Sequence, residues 1–215
     1  MRTALDVLVG VPYSLAVAGR TDSGVHATGQ VASVRTFTEM PAARMRRGLG
    51  GLLPSDVMVR DLVDAEPGFD ARRDALSRTY EYRLLLGQRS PLRRTRTLWV
   101  PRPLDRDRLA EATRKFVGLH NFQAFTPTET EHSAFERRIR RCEWIERGDE
   151  LVFRVEADAF LRHMVRTMVG TLLFVGRGLR PVEWVDEVLA SRNRRMAGLT
   201  VPSYALTLID VRYEE

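Results

Sequence analysis

Strand-like and helix-like segments alternate along the whole chain, and this mixture most constrains the fold. Alternation of apolar and polar residues predicts strands, whereas apolar residues three or four positions apart predict helices. The predicted strands are YSLAVAG, ATGQVASVRT, VMVRDLVDAE, SRTYEYRLLL, RRIRRCEWIERG, ELVFRVEAD and YALTLIDVRY. The predicted helices are MRTALDVLVG (as the end of a helix), PAARMRRGLGGLL, LDRDRLAEATRKFVG, AFLRHMVRTMVGTLLFVG and one more before the last strand, while GLHNFQAF is predicted as a loop. Consecutive strand pairs with helix crossovers predict an α+β fold, with a mixed, largely antiparallel sheet and helices over one face.

The chain is long enough for one large domain or two smaller ones. It has 215 residues, of which 44% are hydrophobic, so its composition indicates a globular protein. Both halves mix strands with helices, and the segment PGFDARRDA separates them. We therefore predict two α/β halves. The first is residues 1–74, which contain the loop at residues 19–24, and the second is residues 75–215.

The charge balance favours an anionic partner. The chain carries 34 basic and 28 acidic residues, for a formal net charge of +6, and every basic residue except Lys115 is arginine. The planar arginine fork matches phosphate oxygens and stacks on aromatic rings, so such a surface suits nucleic acid better than a membrane. The alternative is that a G+C-rich genome supplies these arginines, which then simply solvate helix faces.

Cysteine content and hydropathy predict a cytoplasmic protein without a membrane span. The single cysteine, Cys142, has no partner for an internal disulfide, and no signal-like apolar stretch opens the chain. The longest apolar segment, residues 159–176, contains Arg162, His163 and Arg166 and is too polar to cross a membrane. We predict a helix of a soluble protein in this segment.

The segment GRTDSG, residues 19–24, is a candidate for chemistry. It has the glycine spacing of a phosphate-binding loop, but Val25 and His26 stand where Lys and Ser or Thr are required, so that site is excluded. The DSG triplet also occurs in aspartic peptidases, where paired carboxylates share a proton. Here Arg20 lies two residues before Asp22 and would hold it ionised, which suits nucleophilic attack. The alternative is an ordinary turn, because Thr, Asp, Ser and Gly are common turn residues.

The histidine positions do not indicate a metal site. The four histidines are His26, His120, His132 and His163. They lack the H-x-x-x-H spacing and the paired cysteines of common metal centres, so we expect no metal ion. We expect His26 and His163 to be hydrogen-bonded structural residues; the alternatives are that His26 orients the loop and that His163 lies near RNA.

Four segments of the chain match one known family in order and spacing. They are AGRTDSGVHATGQV, FDARRDALSRTYEYRL, GLHNFQAF and EADAFLRHMVRTMVGTLLFVGRG. Together they resemble the tRNA pseudouridine synthase A family, and the resemblance spans almost the whole chain. It implies a pseudouridine synthase fold in two similar halves and an enzyme that isomerises uridine to pseudouridine in the anticodon stem-loop of tRNA, without cofactor or metal. It also implies a homodimer whose two halves share one tRNA.

The same resemblance implies roles for four residues. Motif matching places the nucleophilic aspartate at Asp22 and the arginine of the same loop at Arg20. The tyrosine that packs on the target base falls at Tyr80, and the arginine that pairs with the aspartate falls at Arg166. The chemistry of the residues is consistent with this, because the uridine must leave its stack and Tyr80 offers a stacking face. The alternative for Tyr80 is core packing beside Tyr82.

Helical spacing gives a further reason to place Arg166 at the site. On the predicted helix, a polar stripe lies opposite the apolar residues, and its members are Arg162, His163, Arg166 and Gly170. We expect Arg166 to face Asp22; the alternative is a solvated arginine. Three further arginine clusters are candidates for phosphate contacts. They are Arg44, Arg46 and Arg47; Arg93, Arg94 and Arg96; and Arg137, Arg138, Arg140 and Arg141.

The first residues depart from the family pattern. Family members normally begin with an additional strand and a tryptophan-bearing segment, whereas this sequence starts at MRTALDVL. We therefore expect the first half to lack the family's first strand.

Two other classes of protein compete with the enzyme. A non-catalytic or disabled RNA-binding protein of the same fold would share the basic surface, and replacing Asp22 would not change its function. An aspartic peptidase would cleave peptides at acidic pH and would not act on RNA.

Overall fold

The computed structural model describes residues 1–130 and 133–214 and shows a mixed α+β architecture. Its helices are α1 (Arg2–Val9), α2 (Ala42–Leu52), α3 (Arg106–Arg114), α4 (Met164–Gly176) and α5 (Trp184–Ser191). Its strands are β1 (Tyr13–Val17), β2 (His26–Ala27), β3 (Ala32–Thr36), β4 (Ser77–Leu86), β5 (Leu98–Val100), β6 (Gly118–Asn121), β7 (Glu136–Arg147), β8 (Glu150–Ala157) and β9 (Leu206–Arg212). Short 3-10 turns lie at Pro91–Arg93, Gln123–Phe125, Arg194–Met196 and Ser203–Ala205.

The chain forms two compact units whose composition differs from the predicted halves. The first unit contains Met1–Gly19 and Val31–Asp74, and the second contains Arg20–Gln30 and the chain from Ala75 onward. The loop Arg20–Gln30, which the sequence placed in the first half, is therefore part of the second unit. The reason is strand pairing, because β2 within this loop pairs in parallel with β9 near the end of the chain.

In the first unit, helices α1 and α2 supply a small apolar core. Its buried members are Ala4, Leu5, Val9, Met45 and Leu49. Strands β1 and β3 form an antiparallel pair, and the cross-strand neighbours Leu15 and Val34 pack on this core. Helix α2 begins directly after Pro41, where the missing N–H of proline leaves no helical hydrogen bond unmade.

The second unit is built on a larger sheet. Among the described residues it has seven strands in the order β2-β9-β4-β8-β7-β6, with β5 paired to β4. The pairs of β4 with β8 and β9, and of β7 with β6 and β8, are antiparallel. The β2–β9 and β4–β5 pairs are parallel. The prediction of a mixed, largely antiparallel sheet is therefore confirmed.

The two faces of this sheet differ in polarity. Tyr82 lies opposite Phe153, which in turn lies opposite Trp144, so these three side chains share one face. Helix α3 covers that face at Trp144, whose indole N–H donates to Thr113 Oγ1 of the helix at 2.8 Å. Glu81 directly precedes Tyr82 on β4 and therefore lies on the opposite face of the sheet, which carries charged side chains. Strand alternation thus places the apolar residues under the helices.

Two local predictions are wrong. The segment VMVRDLVDAE is irregular rather than a strand, since its core-facing residues Val59 and Leu62 are three positions apart and do not follow a period of two. The segment GLHNFQAF is not a simple loop, because Gly118–Asn121 pairs with β7 and a 3-10 turn follows. The pairing partner lies beyond the local pattern, so a loop was predicted instead.

Helix α4 forms the apolar centre of the second unit. Its residues Met164, Met168 and Leu172 are buried, in agreement with the predicted apolar stripe. The helix begins at Met164 rather than at Ala159, so the preceding residues are free to adopt another conformation. Over residues 1–130 and 133–214, none of the helices combines the length and the apolar character that crossing a membrane requires.

Candidate active site

The Asp22 loop is held by a turn within it and by contacts of Gly24 and His26 with later parts of the chain. Its turn is closed by a hydrogen bond from the Val25 N–H to the Asp22 carbonyl, at 3.0 Å. Gly24 has a φ of 82° and lies so close to Ser203 that an added Cβ atom would stand 2.8 Å from the serine Oγ, so glycine is required there. His26 Nε2 lies 2.8 Å from the Thr95 carbonyl and anchors the far end of the loop.

The Asp22 carboxylate is paired with Arg166 of helix α4. The guanidinium Nη1 donates to Asp22 Oδ2 at 3.0 Å, and Nε of the same arginine donates to the Val201 carbonyl at 2.7 Å. The arginine side chain is 15% exposed and the aspartate side chain 31% exposed. Because one end of the guanidinium is bound to the backbone, its other end is fixed in direction. Arg166 therefore holds the carboxylate in place while leaving it accessible from solvent.

His163 is the second partner of Asp22. Its Nε2 lies 3.3 Å from Asp22 Oδ2, the same oxygen that accepts from Arg166. Within residues 1–130 and 133–214, the other oxygen, Oδ1, receives neither a hydrogen bond nor an ion pair. The Asp22 carboxylate thus has one anchored oxygen and one that is available to a substrate.

The polar stripe predicted around Arg166 is wrong in its details. Arg162 and His163 precede helix α4, and His163 has a left-handed backbone with a φ of 61°. Gly170 belongs to the helix but is buried, and a Cβ atom there would lie only 1.7 Å from the Leu199 carbonyl oxygen. Its role is close packing rather than a polar surface. His163 was missed from the sequence as a partner of Asp22, because the contact depends on a helix start at Met164 and a left-handed His163 backbone.

Tyr80 lies on β4 in an almost buried position. It is 7% exposed, and its ring packs edge-on against Phe160 with the centroids 5.1 Å apart. Burial raises the pKa of Tyr80 to about 12, the Arg78 charge opposes this, and the Asp22 charge adds to it. The phenol therefore stays protonated at neutral pH and is close enough to Asp22 to sense its charge. Neighbouring Tyr82 instead donates its hydroxyl to the Pro202 carbonyl at 2.9 Å, which is a structural contact.

The remaining predicted residues have different surroundings. Arg20 is exposed at the start of the loop, and the basic side chains next to Asp22 are those of Arg166 and His163. His120 Nε2 contacts the Val117 carbonyl at 3.0 Å, and His132 lies outside the described residues. Among the described residues, no three His, Cys, Asp or Glu side chains group closely enough to hold a metal ion.

Several members of the arginine clusters already have protein partners. Arg93 is paired with Asp149 at 2.6 Å and Arg141 with Glu143 at 2.9 Å. Arg46 of helix α2 donates to the Arg60 carbonyl at 3.1 Å. Fewer guanidinium groups are therefore available to phosphates than the clusters contain.

Comparisons with known proteins identify the family of the chain. Residues 112–214 match a family model described as tRNA pseudouridine synthase. The chain is 43% identical over its full length to tRNA pseudouridine synthase A of Myxococcus xanthus, and it covers 82% of that protein. It is 40% identical, again over its full length, to tRNA pseudouridine synthase A of Thermus thermophilus, and it covers 86% of it. The chain therefore belongs to the tRNA pseudouridine synthase A family, an isomerase family.

Two further matches differ in strength. Over 93% of its length the chain is 46% identical to tRNA pseudouridine synthase A of Frankia casuarinae, and it covers 73% of that protein. Among solved structures, a crystal structure of a Cbf5-Nop10-Gar1 complex aligns with 81% of this chain and 40% of the other, at 15% identity and a TM-score of 0.39. That structural similarity is too low to carry an argument about function.

Proposed function

We propose that this protein isomerises uridine to pseudouridine in the anticodon stem-loop of tRNA, with Asp22 as the nucleophile. The observation that carries the proposal is the Asp22–Arg166 pair, 3.0 Å long, in a chain that is 43% identical to a tRNA pseudouridine synthase A. A carboxylate with one anchored and one open oxygen, on a loop tied to a sheet, suits nucleophilic attack.

The reaction rearranges one nucleotide without gain or loss of atoms. The bond between ribose C1′ and uracil N1 breaks, a bond from C1′ to C5 forms, the C5 hydrogen leaves as a proton, and N1 takes up a proton. Asp22 attacks either the ribose carbon or the uracil ring, and both routes need a target uridine that has left its stack. Neither route needs a metal ion or a redox cofactor.

Arg166 keeps Asp22 ionised in this proposal. A carboxylate that loses water on substrate binding becomes easier to protonate, and the neutral acid is a poor nucleophile. A guanidinium at 3.0 Å counteracts this, and arginine remains charged when it is desolvated. Its bond to the Val201 carbonyl keeps it aimed while the substrate enters.

Tyr80 and Arg20 are assigned to the substrate. Tyr80 lies on β4 with its ring packed against Phe160, and by analogy with the family we place the target base against this ring. Arg20 is exposed on the same loop, and by analogy with the family we place it against the RNA.

The wider surface and the assembly follow from the same proposal. The net charge of +6 supports binding to the anionic anticodon stem-loop. By analogy with the family, we propose a cytoplasmic homodimer in which two copies share one tRNA.

The experiment that tests this function uses tRNA carrying 5-tritiated uridine. Pseudouridine formation displaces the hydrogen at C5, so tritium released to water reports the reaction directly. We expect release with the wild-type protein and none with Asp22→Asn. Tight tRNA binding without release would instead identify a non-catalytic RNA-binding protein, and peptide cleavage at acidic pH would identify a peptidase.

A further inference from the structure

Both partners of Asp22 bind the same carboxylate oxygen, and one of them is His163. Its Nε2 lies 3.3 Å from Oδ2, and its side chain is 23% exposed. His163 precedes helix α4 with a left-handed backbone, at a φ of 61°. That conformation is unfavourable for a residue with a Cβ atom, and such strain is concentrated at functional sites. The backbone is therefore strained at His163, the residue that places an imidazole next to Asp22.

We propose that His163 is a positioning residue, which in its neutral form donates a hydrogen bond from Nε2 to Asp22 Oδ2. This inference rests on the proposed function, in which Asp22 is the nucleophile. Arg166 and His163 together fix Oδ2, and Oδ1 is the oxygen presented to uridine. A second donor to Oδ2 restricts rotation of the carboxylate more than the single donor at 3.0 Å does.

The charges around His163 favour its neutral form. The groups that face it are Asp22 on the loop, Arg166 on α4, Arg162 beside it in the chain, and Arg194 on the 3-10 turn Arg194–Met196. Burial lowers the pKa of His163 most, Asp22 raises it, and the three arginines lower it again, so that it lies below the usual value. The imidazole is therefore neutral at pH 7 and becomes charged only in acid.

The protonation state matters for the reactivity of Asp22. A neutral imidazole orients the carboxylate without adding a full positive charge. An imidazolium at the same place would form a second ion pair, draw the negative charge away from Oδ1, and weaken the nucleophile. We therefore expect the rate of the chemical step to fall as the pH drops through the lowered pKa of His163.

The test measures single-turnover tritium release against pH, tRNA affinity and melting temperature for three variants. His163→Gln keeps an N–H donor near the position of Nε2 but does not titrate. His163→Leu removes the donor. Arg192→Leu is the matched control, because exposed Arg192 also has a left-handed backbone, with a φ of 51°, and makes no contact with Asp22. It places the same leucine at an equally strained position away from the site.

We expect His163→Leu to slow the chemical step by about 10- to 100-fold, as for loss of a hydrogen bond to a charged group, with tRNA affinity almost unchanged. His163→Gln should stay within about threefold of the wild-type rate at pH 7 and should lose one ionisation from the acid limb of its pH profile. Arg192→Leu should keep the wild-type rate and profile. If His163→Leu does not fold, the pH profile of His163→Gln decides the question.

Three results would overturn the role of His163. They are a wild-type rate in His163→Leu, a rate in His163→Gln as low as that in the leucine variant, or an unchanged acid limb in His163→Gln. Failure of the proposed function has a different signature, since then the wild-type protein itself releases no tritium or Asp22→Asn remains active.

Discussion

Glu81 and Asp22 are two of the carboxylates of the second unit that are paired with arginine, and they differ in exposure and in how many of their oxygens are bound. Glu81 on the charged face of the sheet is only 3% exposed at its side chain. Its Oε1 accepts from Arg154 at 2.7 Å and from Arg147 at 2.9 Å, and its Oε2 accepts from Arg147 at 3.0 Å and from Arg83 at 3.4 Å. Asp22 is 31% exposed, and its two partners share a single oxygen.

In the proposed mechanism, this difference distinguishes a structural carboxylate, Glu81, from a reactive one, Asp22. All the acceptor capacity of Glu81 is used within the protein, so that residue links β4, β7 and β8 and has nothing to offer a substrate. Asp22 is also a carboxylate, but among the described residues its contacts are all to Oδ2, and Oδ1 accepts no hydrogen bond. A pair with arginine therefore does not by itself indicate catalysis; in our proposal Asp22 differs from Glu81 because it combines such a pair with an accessible oxygen.

The largest expected effect comes from removing the charge of the reactive carboxylate. Asp22→Asn should lower the single-turnover rate of tritium release by at least about a thousandfold, because the nucleophile is lost. Its affinity for tRNA and its melting temperature should change little, since the amide can still accept at the anchored oxygen. A variant that retained a tenth of the wild-type rate would rule out Asp22 as the nucleophile.

Removing the charge of the structural carboxylate should have the opposite profile. Glu81→Gln leaves Arg147 and Arg154 without their counter-charge, whereas Arg83 keeps its pair with Glu150. Breaking such a buried network should lower the free energy of unfolding by about 3 kcal/mol. This is the low end for a buried pair, because the three arginines are partly exposed. Chemical denaturation measures the loss, and the tritium release rate at a permissive temperature should stay near the wild-type value. A stable but inactive Glu81→Gln protein would contradict the assignment of Glu81 as a structural carboxylate.

Changes at Arg166 should affect both properties, each to a smaller extent. Arg166→Met should slow the chemical step by about a hundredfold and lower the free energy of unfolding by about 1–2 kcal/mol, because the pair with Asp22 is partly exposed to solvent. Arg166→Lys keeps the charge and should retain part of the activity while losing the second bond to the Val201 carbonyl. Single-turnover rates and melting curves for both variants provide the comparison. If Arg166→Met turned over at the wild-type rate, Arg166 would have no role in the chemical step.

The smallest expected effect concerns stability in acid. Burial raises the pKa of Glu81, but the hydrogen bonds and charges of Arg154 and Arg147 outweigh burial and hold it below its usual value. A lowered folded-state pKa contributes stability above the unfolded value, at about pH 4.3, and this contribution is lost as the pH falls through the folded value. The unfolding free energy of Glu81→Gln should therefore depend less steeply on pH below about 4.3 than that of the wild type. Parallel slopes for the two proteins in denaturant titrations would contradict this.

Local patterns predicted the elements whose signals are themselves local. The helix after Pro41, the alternation of β4 and the paired strands β7 and β8 follow from residue spacing, and family motifs pointed to Asp22 and Arg166. Long-range pairings were not predictable in this way. The strand β6 and the placement of the Asp22 loop with β9 depend on pairing partners outside the local pattern, and the start of helix α4 at Met164 follows the left-handed backbone of His163. His163 was missed for the same reason, because its contact requires both the late helix start and a left-handed backbone.

The pairing of the loop with β9 also bears on when the site forms during synthesis. Asp22 and Arg166 are 144 positions apart, and β2 pairs with a strand that follows Arg166 still later in the chain. At ribosomal rates of about 5–20 residues per second, the nascent aspartate waits on the order of 10 s before its arginine has even been made. Asp22 leaves the ribosome long before Arg166 and His163, so a shorter nascent chain contains the GRTDSG segment without the partners that fix its carboxylate. In the proposed mechanism, the site can therefore form only after β9 has been synthesised.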